Sequence, residues 1–171
     1  NLRYEIAIPL PEDEQTATDV TVLSLLAGCL TSLLTAVLVL CAGDAIAARL
    51  GVPALAGHLW LLPVGVFCGS LYLAVHYWAV RHKRFADIAG TRIKQVVTTL
   101  AVQLLGFKLG PLALLLGHAS GHGMGFLALG RHLLHSPQLR QVSTAGILAA
   151  ARRYRRFPLF STWTGLFNTA G

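Results

Sequence analysis

The sequence predicts an all-α fold, a polytopic transmembrane helix bundle, and three observations support this. Hydrophobic residues make up 54% of the 171 residues and charged residues only 12%, against roughly 25% charged in a soluble domain. Uncharged apolar runs recur at lengths near the roughly 20 residues that cross a bilayer. Basic clusters at 81–84 and 152–156 flank these runs, and such clusters are retained on the cytoplasmic side. The net charge of +7 is therefore assigned to membrane-facing loops, and no nucleic-acid partner is expected.

Two spans are predicted in the first half of the chain, over about 20–43 and 55–80. Residues 20–43 carry no charge, and Pro11 followed by carboxylates at 12–14 is typical of a helix start. Gly43 and the aspartate after it are expected to end this first span. The second span has aromatic residues near both ends, which are typical interfacial anchors, and Pro63 is expected to kink it.

Two further full spans are predicted over about 90–107 and 109–130, and a truncated span begins near 158. The third span crosses only if Arg92 and Lys94 extend to the interface, because only 95–107 is free of charge. With four spans, all Lys and Arg residues except Arg49 and Lys108 fall on one side. The sequence therefore predicts one multi-pass transmembrane domain over 1–171. Its cytoplasmic basic loops are at about 81–92 and 131–157, and both ends of the four spans are cytoplasmic.

No acidic residue lies at the centre of a predicted span. The seven carboxylates lie at or beyond the span ends, at Glu5, Glu12, Asp13, Glu14, Asp19, Asp44 and Asp87. Membrane glycosyltransferases and phosphatases generally need paired acids, a metal site or an activated nucleophile. The three cysteines show neither a CxxC pattern nor metal-ligand spacing and are interpreted as packing residues. The prediction is a chain that is not an enzyme and has no cofactor and no metal.

The fourth span carries two repeats with four-residue spacing. One helix face is lined by Gly117, Gly121 and Gly125, a pattern typical of close helix packing. The functional alternative is that this glycine face forms part of a mobile hinge. His118 and His122 also share a face. Hydrogen bonding between helices is their plain interpretation, and zinc binding is disfavoured because the HExxH glutamate is missing. The open alternative is a polar cavity lining that gains positive charge near about pH 6.

The basic loop at 131–157 has two interpretations. A helix over 139–154 could lie on the membrane surface with its arginines at anionic headgroups, since the arginine fork suits phosphate oxygens. Alternatively, its charge is solvated and only sets topology.

Three local patterns occur together in a specific order and spacing. Residues 3–11 (RYEIAIPLP) precede a span, 77–85 (YWAVRHKRF) close the second, and 154–158 (YRRFP) open the last. Together they resemble the bacterial oligosaccharide/polysaccharide flippase family, the O-antigen translocase-like proteins of the multidrug/oligosaccharidyl-lipid/polysaccharide exporter superfamily. The resemblance runs over essentially all 171 residues, which is well under half the length of such a protein.

That resemblance implies a fragment of a two-lobed exporter fold, covering about the third to sixth helices of the first lobe. Such flippases move polyprenyl-diphosphate-linked oligosaccharide across the bacterial inner membrane by alternating access, in lipopolysaccharide and O-antigen biosynthesis. The implied partners are the lipid bilayer, the lipid-linked oligosaccharide and other polysaccharide assembly proteins. Candidate substrate-binding residues are the basic residues that match the patterns, with Arg3 and Arg84 first, and the two histidines: Arg3, Arg81, Arg84, Arg155, Arg156, His118 and His122.

Two other functions stay open. A small-molecule or multidrug exporter of the same superfamily would be favoured by acidic residues within the spans, and this chain has none. A non-transporting membrane scaffold of a polysaccharide synthesis complex would show no substrate dependence in a transport assay.

Overall fold

The computed structural model describes residues 3–49 and 57–155, and these residues are almost entirely helical. Helix accounts for 86% of them, and none lies in a β-strand. The helices are α1 Glu14–Arg49, α2 Leu61–Arg81, α3 Phe85–Leu105, α4 Pro111–Leu134 and α5 Thr144–Arg153, with 3₁₀ turns at Tyr4–Ala7, Phe107–Leu109 and Pro137–Gln141. The predicted all-α helical bundle is confirmed.

Helix α1 begins at a side-chain cap and is longer than the predicted span. The Asp13 carboxylate accepts the Thr16 backbone N–H at 2.9 Å and the Thr16 hydroxyl at 3.0 Å, which satisfies an otherwise unpaired donor of the first turn. These hydrogen bonds stabilise the charged carboxylate and lower the pKa of Asp13. The segment of α1 that is apolar enough to cross a membrane is Glu14–Gly43, and the helix itself continues beyond it to Arg49. An isolated glycine costs a helix only about 1 kcal/mol, and the alanine-rich residues that follow favour helix.

Helix α2 begins at Leu61, later than the predicted residue 55, and residues 50–56 lie outside the described part. Pro63 falls in its first turn, where the missing N–H needs no partner, so it does not kink the helix interior. Its carbonyl accepts the Ser32 hydroxyl at 2.8 Å, which joins α1 to α2. Gly28 and Ser70 let the two backbones approach, because a Cβ on Gly28 would lie 2.6 Å from the Ser70 Cβ.

Helices α3 and α4 form an antiparallel hairpin that stays in contact along its length. Near the turn, a Cβ on Gly106 would lie 3.1 Å from the Ala113 Cβ. At the other end, His132 Nε2 lies 4.0 Å from Asp87 Oδ2. The predicted basic loop at 81–92 is therefore much shorter, since α3 begins at Phe85. The described residues of the two main basic clusters, 81–84 and 152–155, lie at the same end of the bundle.

Three helical segments are long and apolar enough to cross a membrane: Glu14–Gly43, Leu61–Arg81 and Leu112–Leu134. Large apolar side chains of α1 are exposed on the outside of the bundle, such as Leu30 and Leu33. The chain therefore has the character of a membrane protein. Helix α3 has a comparable length, but it is too polar to count among these segments.

Helix α5 packs against the first turns of α1. Ala150 and Tyr154 lie in the same buried cluster as Ile8 and Val20, and Gly146 lies against the Asp19 carboxylate. The predicted helix at 139–154 is thus observed as a 3₁₀ turn followed by a shorter helix. The predicted truncated span from 158 lies outside the described residues.

Candidate functional site

A groove lies between α2 and α3, with α4 as its floor. Two adjoining cavities of about 180 and 320 Å³ share Arg92 and His122 in their linings. The other polar side chains that line them are Ser70, Tyr72, Gln95, Thr99 and His118. His122 lies twelve residues from the end of α4, about 18 Å along the helix, so the groove lies near the middle of the bundle.

The two predicted histidines contact each other in this groove. His118 Nε2 and His122 Nε2 are 3.1 Å apart, and the ring centroids are 4.6 Å apart in an edge-to-face arrangement. At this distance one ring donates a proton and the other accepts it. His118 is exposed, whereas His122 is half-buried and its Nδ1 has no hydrogen-bond partner within the described residues.

Tyr72 connects the three helices around the histidines. Its ring is 2% exposed and lies 5.6 Å, between centroids, from the rings of both His76 and His122. The Tyr72 hydroxyl is 3.5 Å from His76 Nδ1. The Arg92 guanidinium carbon lies 6.0 Å from the centroid of the Tyr72 ring, at the outer limit of a cation–π contact. Arg92 therefore lies beside Tyr72 at the groove.

The Gln95 carboxamide lies buried beneath the groove, beside Tyr72. Its side chain is 5% exposed, yet neither Oε1 nor Nε2 forms a hydrogen bond of standard geometry within the described residues. It lies against Gly125, as does the Tyr72 ring. The Gln95 side chain interacts with the Tyr72 hydroxyl and therefore ties α3 to α2 beneath the groove.

The glycines at four-residue spacing lie where α3 approaches α4 most closely. A Cβ on Gly117 would lie 2.6 Å from Gln103 Cγ, and one on Gly121 would overlap Thr99 Oγ1. Because these positions carry no side chain, α3 can pack against α4. The glycine face of α4, which was predicted to allow close helix packing, is the face that contacts α3.

The predicted arginines that fall within the described residues lie apart from the groove, near the basic end of the bundle. Arg3 has a left-handed backbone (φ 53°), and Arg84 Nε lies 2.9 Å from Asp87 Oδ2. Arg81 is almost buried and bonds within the chain. Arg155 is exposed beyond α5, and Arg156 lies outside the described residues. Among the described members of the predicted set, the two histidines line the groove.

Sequence reasoning missed Arg92, Gln95 and Tyr72. A signal for two of them was available, since Arg92, Gln95 and Thr99 follow the i, i+3, i+7 spacing that puts residues on one helix face. Arg92 was instead assigned to the membrane interface. The signal for Tyr72 was its position among apolar residues, and such a position does not distinguish a functional-site residue from a core residue.

The groove has a largely apolar lining with a positive charge at Arg92. Arg92 is its permanently charged side chain, and no carboxylate is found among the described residues that line it. Within the described ranges there is also no group of three His, Cys, Asp or Glu residues that could hold a metal ion. No protein-family model matches this chain, and neither a curated protein nor a solved structure matches it.

Proposed function

We propose that this chain is part of a bacterial inner-membrane flippase that moves polyprenyl-diphosphate-linked oligosaccharide by alternating access. The observation that carries the proposal is the groove in which Arg92 lies with Gln95, Tyr72 and the histidine pair. The likeness of residues 3–11, 77–85 and 154–158 to oligosaccharide flippases supports the same assignment.

The chemistry of the groove matches the difficult part of such a substrate. A diphosphate sugar cannot cross bare hydrocarbon, because burying its charge without partners is very costly. The guanidinium of Arg92 can pair with phosphate oxygens. Thr99 and His118 also line the groove and can bond sugar hydroxyl groups. These groups replace hydration while the lipid tail stays in the bilayer.

In this proposal α3 crosses the membrane together with the three apolar helices. Its contacts with α4 extend from Gly106 and Ala113 at one end to Asp87 and His132 at the other, so it lies at the same depth as α4. The end with the basic clusters is then cytoplasmic. Arg92 lies seven residues into α3, about 10 Å from that end, where a headgroup entering from the cytoplasm would meet it.

The arginines at the basic end have a secondary role in the proposal. Arg84 and Arg155 lie where a headgroup would leave the cytoplasmic leaflet, and both are at least partly accessible. Arg81 is a weaker candidate, because its guanidinium is occupied by Glu14 and by backbone carbonyls. Arg3 stays a candidate at the start of the described chain, and Arg156 stays a prediction.

The groove favours an anionic lipid over the cations that many multidrug exporters carry. A site for an organic cation would use carboxylates or exposed aromatic faces. The described lining instead has Arg92 as its charged group, and the Tyr72 ring is buried behind it. An exporter of organic cations is therefore the less favoured alternative.

The test compares two basic residues of the same helix. Arg92→Gln removes the charge from the groove, while Lys94→Gln removes an exposed charge that does not line it. The protein that contains this chain is reconstituted in vesicles with fluorescent polyprenyl-diphosphate oligosaccharide, and movement between leaflets is measured. We expect R92Q to slow translocation about tenfold or more, as loss of a charge-assisted hydrogen bond of about 1.5–3 kcal/mol predicts. K94Q should match the unmodified protein.

Equal rates for R92Q and K94Q at equal protein levels would contradict the proposal. If the chain belongs to a non-transporting scaffold, the result differs, because neither the unmodified protein nor its variants would move the lipid in vesicles. Faster export of organic cations than of the lipid-linked sugar would favour the multidrug alternative.

A further inference from the structure

The two Nε2 atoms of the histidine pair on α4 are spaced as two ligands of one metal ion are spaced. His118 and His122 hold them 3.1 Å apart. A transition metal binds an imidazole nitrogen at roughly 2.0–2.1 Å. Two such nitrogens lie about 2.9 Å apart at a right angle around the ion and about 3.3 Å apart at the tetrahedral angle. The observed separation falls between these values, so one ion can contact both rings.

The backbone of α4 fixes this arrangement. Residues four apart lie one above the other on a helix face, so both rings leave the same face of Pro111–Leu134. The two zinc-binding histidines of the HExxH motif have the same spacing, and the glutamate of that motif is a general base. Its absence here therefore argues against metal-dependent hydrolysis, and it leaves the two nitrogen ligands in place.

The cavity beside the pair has room for an ion with further ligands. Its volume is about 180 Å³, and Thr99 and Gly121 line it beside the two rings. A water molecule takes about 30 Å³, so an ion and several waters fit. Within the described part of the chain no third His, Cys, Asp or Glu completes the site. Waters or a small anion would therefore fill the remaining positions, as in other open metal sites.

Metal binding would replace the hydrogen bond between the rings. Without a metal, one Nε2 atom carries the shared proton, whereas a metal ligand presents a lone pair. Each neutral ring then carries its proton on Nδ1. His118 is exposed in the groove, so its Nδ1–H can donate a hydrogen bond to water.

The surroundings of the pair determine which class of ion fits. Arg92 lines the same cavity, and its charge opposes a cation, so the two imidazoles must bind the ion strongly. Mg²⁺ and Ca²⁺ prefer oxygen ligands, and no carboxylate lines the described groove. Imidazole suits copper, nickel and zinc, and Cu²⁺ is bound most tightly in this series.

We propose that His118 and His122 form a binding site, open to the groove, for a divalent transition metal of the copper, nickel and zinc group. The inference goes beyond the proposed function, because the site takes a different ligand and binds it without lipid.

The experiment measures Cu²⁺ binding to the intact protein, purified in detergent without a histidine tag. Titration gives the affinity, and electron paramagnetic resonance shows how many imidazole nitrogens contact the ion. The test variants are His118→Gln and His122→Gln. The matched control combines His132→Gln with His135→Gln, which removes two histidines at the end of the same helix, outside the cavity.

We expect the unmodified protein to bind Cu²⁺ at this pair through two imidazole nitrogens. Each single variant should weaken the binding about tenfold or more, because loss of even a hydrogen-bond partner of a metal ligand costs about 10–100-fold. The control should keep the affinity and the spectrum. Zn²⁺ should raise the melting temperature of the unmodified protein and the control but not that of H118Q, since an ion that binds the folded state stabilises it.

An H118Q variant that binds Cu²⁺ as tightly as the unmodified protein would overturn the inference. So would weaker binding in H118Q with normal binding in H122Q, which would mean that a single exposed imidazole holds the ion. Loss of binding in the control would assign the ion to the end of α4. H118Q changes an exposed side chain and is expected to fold, which its helical circular dichroism verifies. Lipid movement is not measured, so failure here leaves the R92Q test of the proposed function intact.

Discussion

The Arg81 guanidinium contacts the Glu14 carboxylate at 3.0 Å and thereby joins the end of α2 to the start of α1. The Arg81 side chain is 10% exposed, and that of Glu14 is 50% exposed. The same guanidinium donates to the carbonyls of Pro9, Pro11 and Glu12. One side chain thus holds the N-terminal segment against the basic end of the bundle, and its position in the last turn of α2 also suits the helix dipole.

We expect Arg81→Gln to loosen this end far more than Glu14→Gln does. The carbonyl bonds of Arg81 are charge-assisted and shielded, so their loss should cost roughly 1–3 kcal/mol. The ion pair with the half-exposed Glu14 should contribute below about 1 kcal/mol. Limited proteolysis after the N-terminal segment and thermal unfolding in detergent would measure both. Equal effects of the two substitutions would mean that the ion pair, and not the carbonyl bonds, secures the segment.

The hairpin of α3 and α4 depends on Gly121. A methyl group at this position would overlap Thr99 Oγ1 and lie 3.2 Å from the Gln95 carbonyl oxygen. We expect Gly121→Ala to cost about 1–3 kcal/mol through overpacking. Gly123→Ala is the matched control, since its methyl would lie 3.9 Å from the Cys68 Sγ atom, an ordinary contact. Unfolding in mixed detergent measures the stability of both variants. If G121A is as stable as G123A, α3 does not pack tightly against α4 at this position.

Glu5 should give the basic end a pH-dependent stability. Burial raises the pKa of Glu5 above 4.5, because the charged form loses hydration, while the nearby Arg3 charge partly opposes the rise. A raised carboxyl pKa means that the folded state holds its proton after the unfolded state has released it. The contribution of Glu5 to stability is therefore fully present below pH 4.5 and is lost as the pH rises through the raised pKa.

Glu5→Gln should remove this decline, so that the variant is the more stable protein at neutral pH. Asp13→Asn is the control, because the pKa of Asp13 is lowered by its hydrogen bonds with Thr16 and its contribution is lost only at lower pH. Melting temperatures between about pH 5 and about pH 8 would check the slopes. If the decline in stability with rising pH persists in E5Q, an ionisable group other than Glu5 causes it.

The helices were predictable from composition, because apolar runs between basic clusters leave few other structures for the chain. The residues at which the helices end were less predictable. The residues after Gly43 favour a helix as well as a short connection, and the continuous α1 depends on how the whole chain folds. Asp87 was assigned to a loop, yet it lies in the first turn of α3, where a carboxylate suits the helix dipole.

The groove was only partly predictable. The four-residue spacing brought His118 and His122 to one face, and their contact follows from that spacing alone. The direction of Arg92 does not follow in the same way, because packing sets the rotation of a buried helix. Here Gln95 and Thr99 face the glycines of α4, and this contact turns Arg92 toward Tyr72. The spacing of Arg92, Gln95 and Thr99 puts them on one helix face, but it does not say which neighbouring helix that face contacts.

The proposed crossing of α3 can be tested by the accessibility of single cysteines. In a variant whose native cysteines are replaced by alanine, one cysteine is placed at Lys83, Lys108 or Arg140, all exposed in the structure. If α3 crosses, a thiol reagent that cannot pass the membrane should label residue 108 in intact cells. It should label residues 83 and 140 only after permeabilisation. The reason is that α3 runs antiparallel to α4 and separates Lys83 from Lys108 by the full length of the hairpin. Labelling of residues 83 and 108 from the same side would mean that α3 lies outside the bilayer. Arg92 and the histidine pair would then not share a membrane-embedded groove, and the flippase proposal would lose the observation that carries it.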